Sequence, residues 1–187
     1  MPKKDETPKE TPDSKKIFLL AEHYSEASRL LDEQSRGDQA KEKNWGCFGP
    51  KLLVDSFAVE LFLKCLYVQD TKKAPHGHDW GKLFEELKPG TQKAILLEYD
   101  RLIDADPIVG KLMILREINP DAVKVRDFRR ALKAARLTFD KKRYIYEKPD
   151  ENKSKEEWFY AHFLKDAIRN VTLTDLRIAE LLNKTSG

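Results

Sequence analysis

The segment over residues 51–69, KLLVDSFAVELFLKCLYVQ, constrains the fold more than any other part of the chain. As an α-helix it carries apolar side chains on nearly every side, a pattern typical of a helix packed against several neighbours rather than a surface helix. Pro50 precedes it and is tolerated as a first helical residue, because its missing N–H would have no partner there. We therefore predict a central helix from Pro50 to about Gln69 that forms the heart of a core.

The polar residues of this helix fall on two faces. At about 100° per residue, Lys51, Asp55 and Gln69 share one face, whereas Glu60 and Lys64 project roughly opposite, among apolar side chains. Glu four residues before Lys is a favourable helical pair, and an unpaired charge is costly in apolar surroundings. We therefore predict that Glu60 and Lys64 point inward and pair with each other or with further polar groups.

Other segments show the three- and four-residue apolar spacing of amphipathic helices. The first is predicted from Ser14 to Gly37, with its apolar stripe formed by Ile17, Leu20, Tyr24, Ala27 and Leu31. Asp79 can cap a short helix that ends at Lys88-Pro89-Gly90 and directs Leu83, Phe84 and Leu87 to the core. Further helices are predicted at 91–104, 108–117, 119–140 and 154–183.

No segment shows the strict apolar–polar alternation of a half-buried strand, so the predicted fold class is all-α. The length of 187 residues suits one domain. Residues 1–14 mix Pro, Lys, Glu and Thr and cannot bury enough apolar area to offset the entropy of ordering them. We expect a disordered tail over 1–14 and a single-domain helical bundle over 15–184.

Charge and cysteine content exclude some functional classes. The net charge of +3, from 35 basic and 32 acidic residues, is too small to indicate nucleic acid or membrane by itself. Cys47 and Cys65 lack zinc-ligand spacing, and His76 and His78 lack a third ligand nearby, so we predict no metal and no cofactor. No apolar run is long enough to span a bilayer or form a secretory signal. We expect a cytoplasmic protein with no membrane partner.

Three stretches follow one another in the order Ser56–Leu66, Gly77–Phe84 and Arg143–Glu147. In this order the three stretches resemble motifs of the HEPN superfamily. The second helix of that superfamily is similar to AxExxLKxLL and is followed by a GHDLxxLF segment. The resemblance covers roughly residues 16–182. The RYxYE stretch resembles that of a bacterial group of such proteins. The resemblance implies a helical bundle, often dimeric, in proteins connected with RNA cleavage, toxin–antitoxin pairs, phage defence or nucleotide binding.

The ribonuclease branch of that superfamily carries an Arg, usually followed by a polar residue, and then a His after a gap of four to six residues. The nearest match is Arg169-Asn170, but Thr174, Asp175 and Leu176 occupy the corresponding His positions. A threonine hydroxyl cannot act as a general acid or base near neutral pH. Arg169-Asn170 can equally be a surface pair, and the sequence does not by itself identify an enzyme.

A polar cluster is the first candidate site, since inward-pointing Glu60 and Lys64 need polar partners. Its predicted members are Glu60, Lys64, His78, Asp79, Arg143, Tyr144 and Glu147, and the resemblance supports the grouping. A cleft lined by these groups could grip a phosphate or nucleotide, with Arg143 in bidentate contact. The alternative is a structural network that fixes the central helix against its neighbours.

A basic face is the second candidate site. Between Asp121 and Lys148 there are ten basic residues and four acidic ones. On a helix, one stripe opposite the apolar side chains is formed by Arg126, Arg129, Arg130, Lys133 and Arg136. Such a stripe can neutralise several phosphates and bind RNA or DNA regardless of sequence. The alternatives are a solvated helix face or an interface with an acidic partner.

These observations favour a HEPN-like binding protein that lacks the usual Arg–His ribonuclease pair. Its expected partner is RNA, a nucleotide, or an antitoxin or other defence-system protein, in a bacterial or phage defence or stress setting. One alternative is an active ribonuclease with an unorthodox polar site. Another is a structural module that forms a homodimer through an exposed apolar face.

Overall fold

The computed structural model describes residues 12–36, 45–107, 127–142 and 160–174. Every regular element in these ranges is an α-helix, which confirms the predicted all-α class. The helices are α1 (Ser14–Arg36), α2 (Trp45–Thr71), α3 (Trp80–Glu85), α4 (Pro89–Ala105), α5 (Phe128–Lys142) and α6 (Tyr160–Thr174). The predicted helix at 108–117 and nearly all of the predicted tail over 1–14 lie outside the described residues.

The start of α3 follows the sequence signal. The Asp79 carboxylate caps the helix by accepting a hydrogen bond from the backbone N–H of Lys82, with an N···O distance of 3.2 Å. Helix α3 ends at Glu85, three residues before the predicted stop at Lys88-Pro89-Gly90. The predicted start of α4 at residue 91 is two residues late, because Pro89 is the first residue of α4. There its missing N–H leaves no partner unsatisfied.

The predicted start of α2 at Pro50 is wrong, because the helix begins at Trp45 and Pro50 lies in its second turn. A proline at this depth removes the hydrogen bond from its own nitrogen to the carbonyl of Gly46, and its ring crowds that carbonyl. The apolar run that follows continues the helix to Thr71, two residues beyond the predicted end.

Helix α2 is the centre of the core, as predicted. Val59, Phe62 and Leu63 are fully buried, and the helix contacts α1, α3, α5 and α6. Helix α1 runs antiparallel to it, since the Phe18 ring lies 6.0 Å from the Phe62 ring and Tyr24 stacks on Phe57 at 5.4 Å. Both faces of α2 are buried, so the face with Asp55 and Gln69 is enclosed as well as the face with Glu60.

The predicted apolar stripe of α1 is confirmed in part, since Ile17 and Tyr24 pack against the core, but the most deeply buried residues lie one position further along the helix. Phe18, Ala21 and Ser28 are buried, whereas Leu20, a member of the predicted stripe, is 46% exposed. The buried face of α1 therefore combines one large side chain, Phe18, with the small side chains of Ala21 and Ser28. Small residues at a contact allow packed helices to lie closer together.

Three aromatic rings hold α3, α4 and α5 together. The Phe128 ring at the start of α5 lies 4.8 Å from the Phe84 ring of α3 and meets the Tyr99 ring of α4 edge-on at 5.3 Å. Aromatic pairs prefer such tilted and edge-to-face arrangements. This contact sets the position of α5, and with it the position of the basic stripe, beside α3.

Candidate functional site

The structure brings three residues together around the Glu60 carboxylate. Its Oε1 atom lies 2.6 Å from Lys64 Nζ and 2.7 Å from His78 Nδ1, while Trp80 Nε1 donates to Oε2 at 3.4 Å. The Glu60 side chain is buried, whereas His78 is 76% exposed. Glu60 thus points inward and pairs with Lys64 as the helical spacing predicts, and it also joins α2 to the loop before α3.

Electrostatics favour the charged form of Glu60. Burial raises the pKa of the carboxyl, but the hydrogen bonds and positive charges of Lys64 and His78 outweigh it and hold the pKa below its ordinary value. Both oxygens already have donors. A carboxylate in this state is poorly suited to take a proton from a substrate near neutral pH.

Asp79, the next predicted member of the polar cluster, turns toward α5. Its carboxylate pairs with Arg136 at 2.9 Å while it caps α3. The backbone N–H of Lys82 lowers the pKa of Asp79 most, and Arg136 lowers it further. The remaining predicted members, Arg143, Tyr144 and Glu147, lie outside the described residues.

The basic stripe of α5 faces outward, opposite a buried apolar side. Phe128, Leu132 and Ala135 are buried, which leaves the opposite side of the helix for the basic residues. Of these, Arg129, Arg130 and Lys133 are exposed and Arg136 is half-buried. Arg126, the first predicted member, lies outside the described residues.

Helices α3 and α5 enclose a groove of about 290 Å³ on this side. Arg129 reaches across it to Glu85 at 2.7 Å and lies 6.0 Å from the centre of the Phe84 ring. The groove is lined on one side by α5 and on the other by α3, with Lys133 and Arg136 facing Asp79 and Gly81. The two candidate sites therefore adjoin, because His78 belongs to the Glu60 cluster and Asp79 belongs to the groove.

The Arg169-Asn170 pair has structural partners on two other helices. Arg169 makes two parallel contacts with Glu22 of α1, at 2.6 Å and 2.7 Å, and these raise the pKa of the guanidinium. Asn170 donates to Glu98 of α4 at 2.7 Å. The hydroxyl of Thr174 donates to the carbonyl of Val171. Arg169 thus joins α6 to α1 through an ion pair and is not a simple surface residue.

Sequence reasoning missed a second buried charge cluster, centred on Asp55. The Asp55 carboxylate lies 2.9 Å from Lys165 Nζ of α6 and 2.7 Å from Lys51 Nζ. Burial raises its pKa, but Lys165 and Lys51 outweigh burial and leave the pKa below its ordinary value. The Lys51–Asp55 spacing on a helix that is apolar all round was the available signal. Nothing in the sequence pointed to Lys165.

Within the described ranges there is no group of three His, Cys, Asp or Glu residues that could hold a metal ion. In the same ranges, no helix has the length and apolar character needed to cross a bilayer. Comparison of the chain with protein-family models, with curated proteins and with solved structures gave no match.

Proposed function

We propose that this chain is a HEPN-like helical protein that binds RNA on the face formed by α3 and α5, without the superfamily's usual ribonuclease pair. The defence or stress setting implied by the resemblance belongs to the same proposal. The observation that supports it most is the line of cations on α5: Arg130 and Lys133 are exposed beside a groove that Arg129 and Arg136 also line. The predicted homodimer and the predicted antitoxin or other defence-system partner stay predictions.

The spacing of these cations suits a phosphodiester backbone. Residues three or four apart on a helix lie one turn, about 5.4 Å, from each other. Arg129, Lys133 and Arg136 therefore form a row, with Arg130 beside it. Such a row contacts phosphates and not base edges, so it gives affinity that falls with salt and depends little on sequence.

Two observations weigh against catalysis. Arg169, the nearest match to the ribonuclease arginine, is held by Glu22, and the residue at the first corresponding histidine position is Thr174. Glu60, the more enclosed of the two cluster acids that the structure describes, already has donors on both oxygens. Arg169 and Glu60 are therefore engaged in contacts within the fold rather than available to a substrate. This favours a protein that binds RNA over one that cleaves it.

The test of RNA binding uses Arg130 and Lys133, which make no ion pair within the described residues. We expect the double variant Arg130→Glu/Lys133→Glu to bind a labelled single-stranded RNA at least about tenfold more weakly than the wild type at low salt. The slope of log affinity against log salt should fall by about 0.7 for each lost phosphate contact on a single strand. Fluorescence anisotropy at several salt concentrations measures both quantities.

A matched control reverses two exposed lysines on other helices, Lys16 of α1 and Lys93 of α4. The variant Lys16→Glu/Lys93→Glu has the same net charge as the test variant, so it should keep most of the affinity. Equal loss in both variants would contradict an α5 site, and absence of RNA binding by the wild type at low salt would contradict the proposed function.

A cleavage assay addresses the ribonuclease alternative. The purified wild type and His78→Ala are incubated with labelled tRNA and mRNA, and we expect both RNAs to stay intact. Cleavage by the wild type that His78→Ala abolishes would instead support an active site around Glu60 and His78.

A further inference from the structure

Each of the two arginines that line the α3–α5 groove is already paired with a carboxylate of α3. Arg129 contacts Glu85 at 2.7 Å, and Arg136 contacts Asp79 at 2.9 Å. A guanidinium binds the oxygens of a phosphate through the same N–H donors that it uses for a carboxylate. Asp79 and Glu85 therefore occupy the positions that phosphate oxygens would take on Arg136 and Arg129.

We infer that Asp79 and Glu85 are internal competitors for phosphate, which reduce the affinity of the groove and restrict it to ligands with several consecutive phosphates. This inference rests on the proposed RNA binding and adds its regulation. A strand of RNA can contact Arg130 and Lys133 first and then displace the carboxylates one at a time. A mononucleotide must displace a carboxylate without those additional contacts.

The competing carboxylates belong to a firmly held element. Trp80, Leu83 and Phe84 of α3 are buried, and the Phe84 ring packs on Phe128 of α5. The position of the groove is therefore fixed by the core. Asp79 is ionised near neutral pH like any ordinary aspartate, and the Lys82 N–H and Arg136 lower its pKa further.

The ion pairs themselves are weak enough to exchange. Their four side chains are each more than a third exposed, and exposed ion pairs contribute about 0.2–1 kcal/mol each. Several phosphate contacts can outweigh two such pairs, whereas one phosphate group gains little over a carboxylate. These contacts thus weaken the binding of a single phosphate more than that of a polyanion, which gains further contacts when it displaces them.

The test neutralises both carboxylates in the full chain with Asp79→Asn/Glu85→Gln. Asparagine caps helices about as well as aspartate, so α3 keeps its N-cap while the charge is removed. The matched control is Glu26→Gln/Glu33→Gln, which neutralises the two carboxylates paired with Arg29 on α1. Both variants change the net charge equally, and circular dichroism with thermal unfolding verifies that each is folded.

We expect Asp79→Asn/Glu85→Gln to bind single-stranded RNA about three- to thirtyfold more tightly than the wild type. Its salt slope should steepen by up to about 0.7 per removed carboxylate. AMP should compete measurably with labelled RNA for this variant and much less for the wild type. The α1 control should stay within about twofold of the wild type, since long-range charge effects at exposed sites are screened.

If Asp79→Asn/Glu85→Gln binds RNA no more tightly than the α1 control, while Arg130→Glu/Lys133→Glu loses binding, the inference is overturned and the proposed function stands. If neither the wild type nor Asp79→Asn/Glu85→Gln binds RNA at low salt, the proposed function fails, and the inference fails with it. Equal competition by AMP in the wild type and the variant would overturn the restriction to several phosphates.

Discussion

Asp55 and its lysines show how a single buried charge can determine local stability. The Asp55 side chain is 1% exposed, and Lys165 and Lys51 reach it from α6 and from the preceding turn of α2. Two cations around one acid already carry a net charge of +1, and removing the acid's charge raises it to +2. Losing one partner of a buried pair is costly because the other charge stays enclosed without compensation.

We expect Asp55→Asn to lower the free energy of unfolding by about 3–5 kcal/mol. The control is Asp166→Asn, because Asp166 lies 3.9 Å from the same Lys165 ammonium but is 39% exposed. Its loss should cost no more than about 1 kcal/mol. Urea unfolding at neutral pH measures both values, and equal costs would show that burial does not distinguish the two acids.

At the level of helices, α1 shows where sequence pattern and packing diverge. Leu20 and Ala21 are neighbours, yet Leu20 is largely exposed and Ala21 is fully buried against α2. Apolar periodicity predicts that α1 has a buried stripe, but it weights large side chains more than small ones. The register of a close helix contact depends on which small residues the partner helix can accommodate.

Substitutions at these neighbours test the register. Ala21→Leu adds side-chain volume at a fully buried contact and should lower the free energy of unfolding by about 1–3 kcal/mol. Leu20→Gln replaces a largely exposed apolar side chain and should change it by no more than about 0.5 kcal/mol. Chemical unfolding of the two variants compares them directly. A larger loss for Leu20→Gln would restore the stripe predicted from the sequence.

The same contrast explains which parts of the site could be predicted. Contacts within one helix or between neighbouring segments have local signals, as with the Glu60–Lys64 spacing and the Asp79 cap. The pairs Arg136–Asp79 and Arg169–Glu22 join distant segments, and a sequence pattern holds no information on which acid a given arginine meets. The basic stripe was therefore predictable, whereas the carboxylates that occupy it were not.

For the whole molecule, depressed carboxyl pKa values make stability depend on pH. Folding lowers the pKa of Asp55, Glu60, Asp79 and Glu98. Each group therefore contributes stability that is fully present above its pKa in the unfolded chain, about 3.9 for Asp and 4.3 for Glu. That contribution is lost as the pH falls through the lower values of the folded state.

We expect the free energy of unfolding to vary little from neutral pH down to about 5 and to fall below about 4, by about 1.4 kcal/mol per pH unit for each extra proton that the unfolded chain binds. Glu60→Gln should be less stable than the wild type at neutral pH but should lose less on acidification. Urea unfolding over this pH range provides the measurement. Stability that rises on acidification would contradict the direction of these pKa changes.

The ion pair between Arg169 and Glu22 joins residues 147 positions apart in the chain. This separation affects how the protein folds during its synthesis on the ribosome. Helices α1 and α2 are made early and can pair while the rest of the chain is still being translated. Asp55 then lacks the Lys165 ammonium, and Glu22 lacks the Arg169 guanidinium, until α6 leaves the ribosome. The α1–α2 pair therefore lacks both of these partners until α6 has been made.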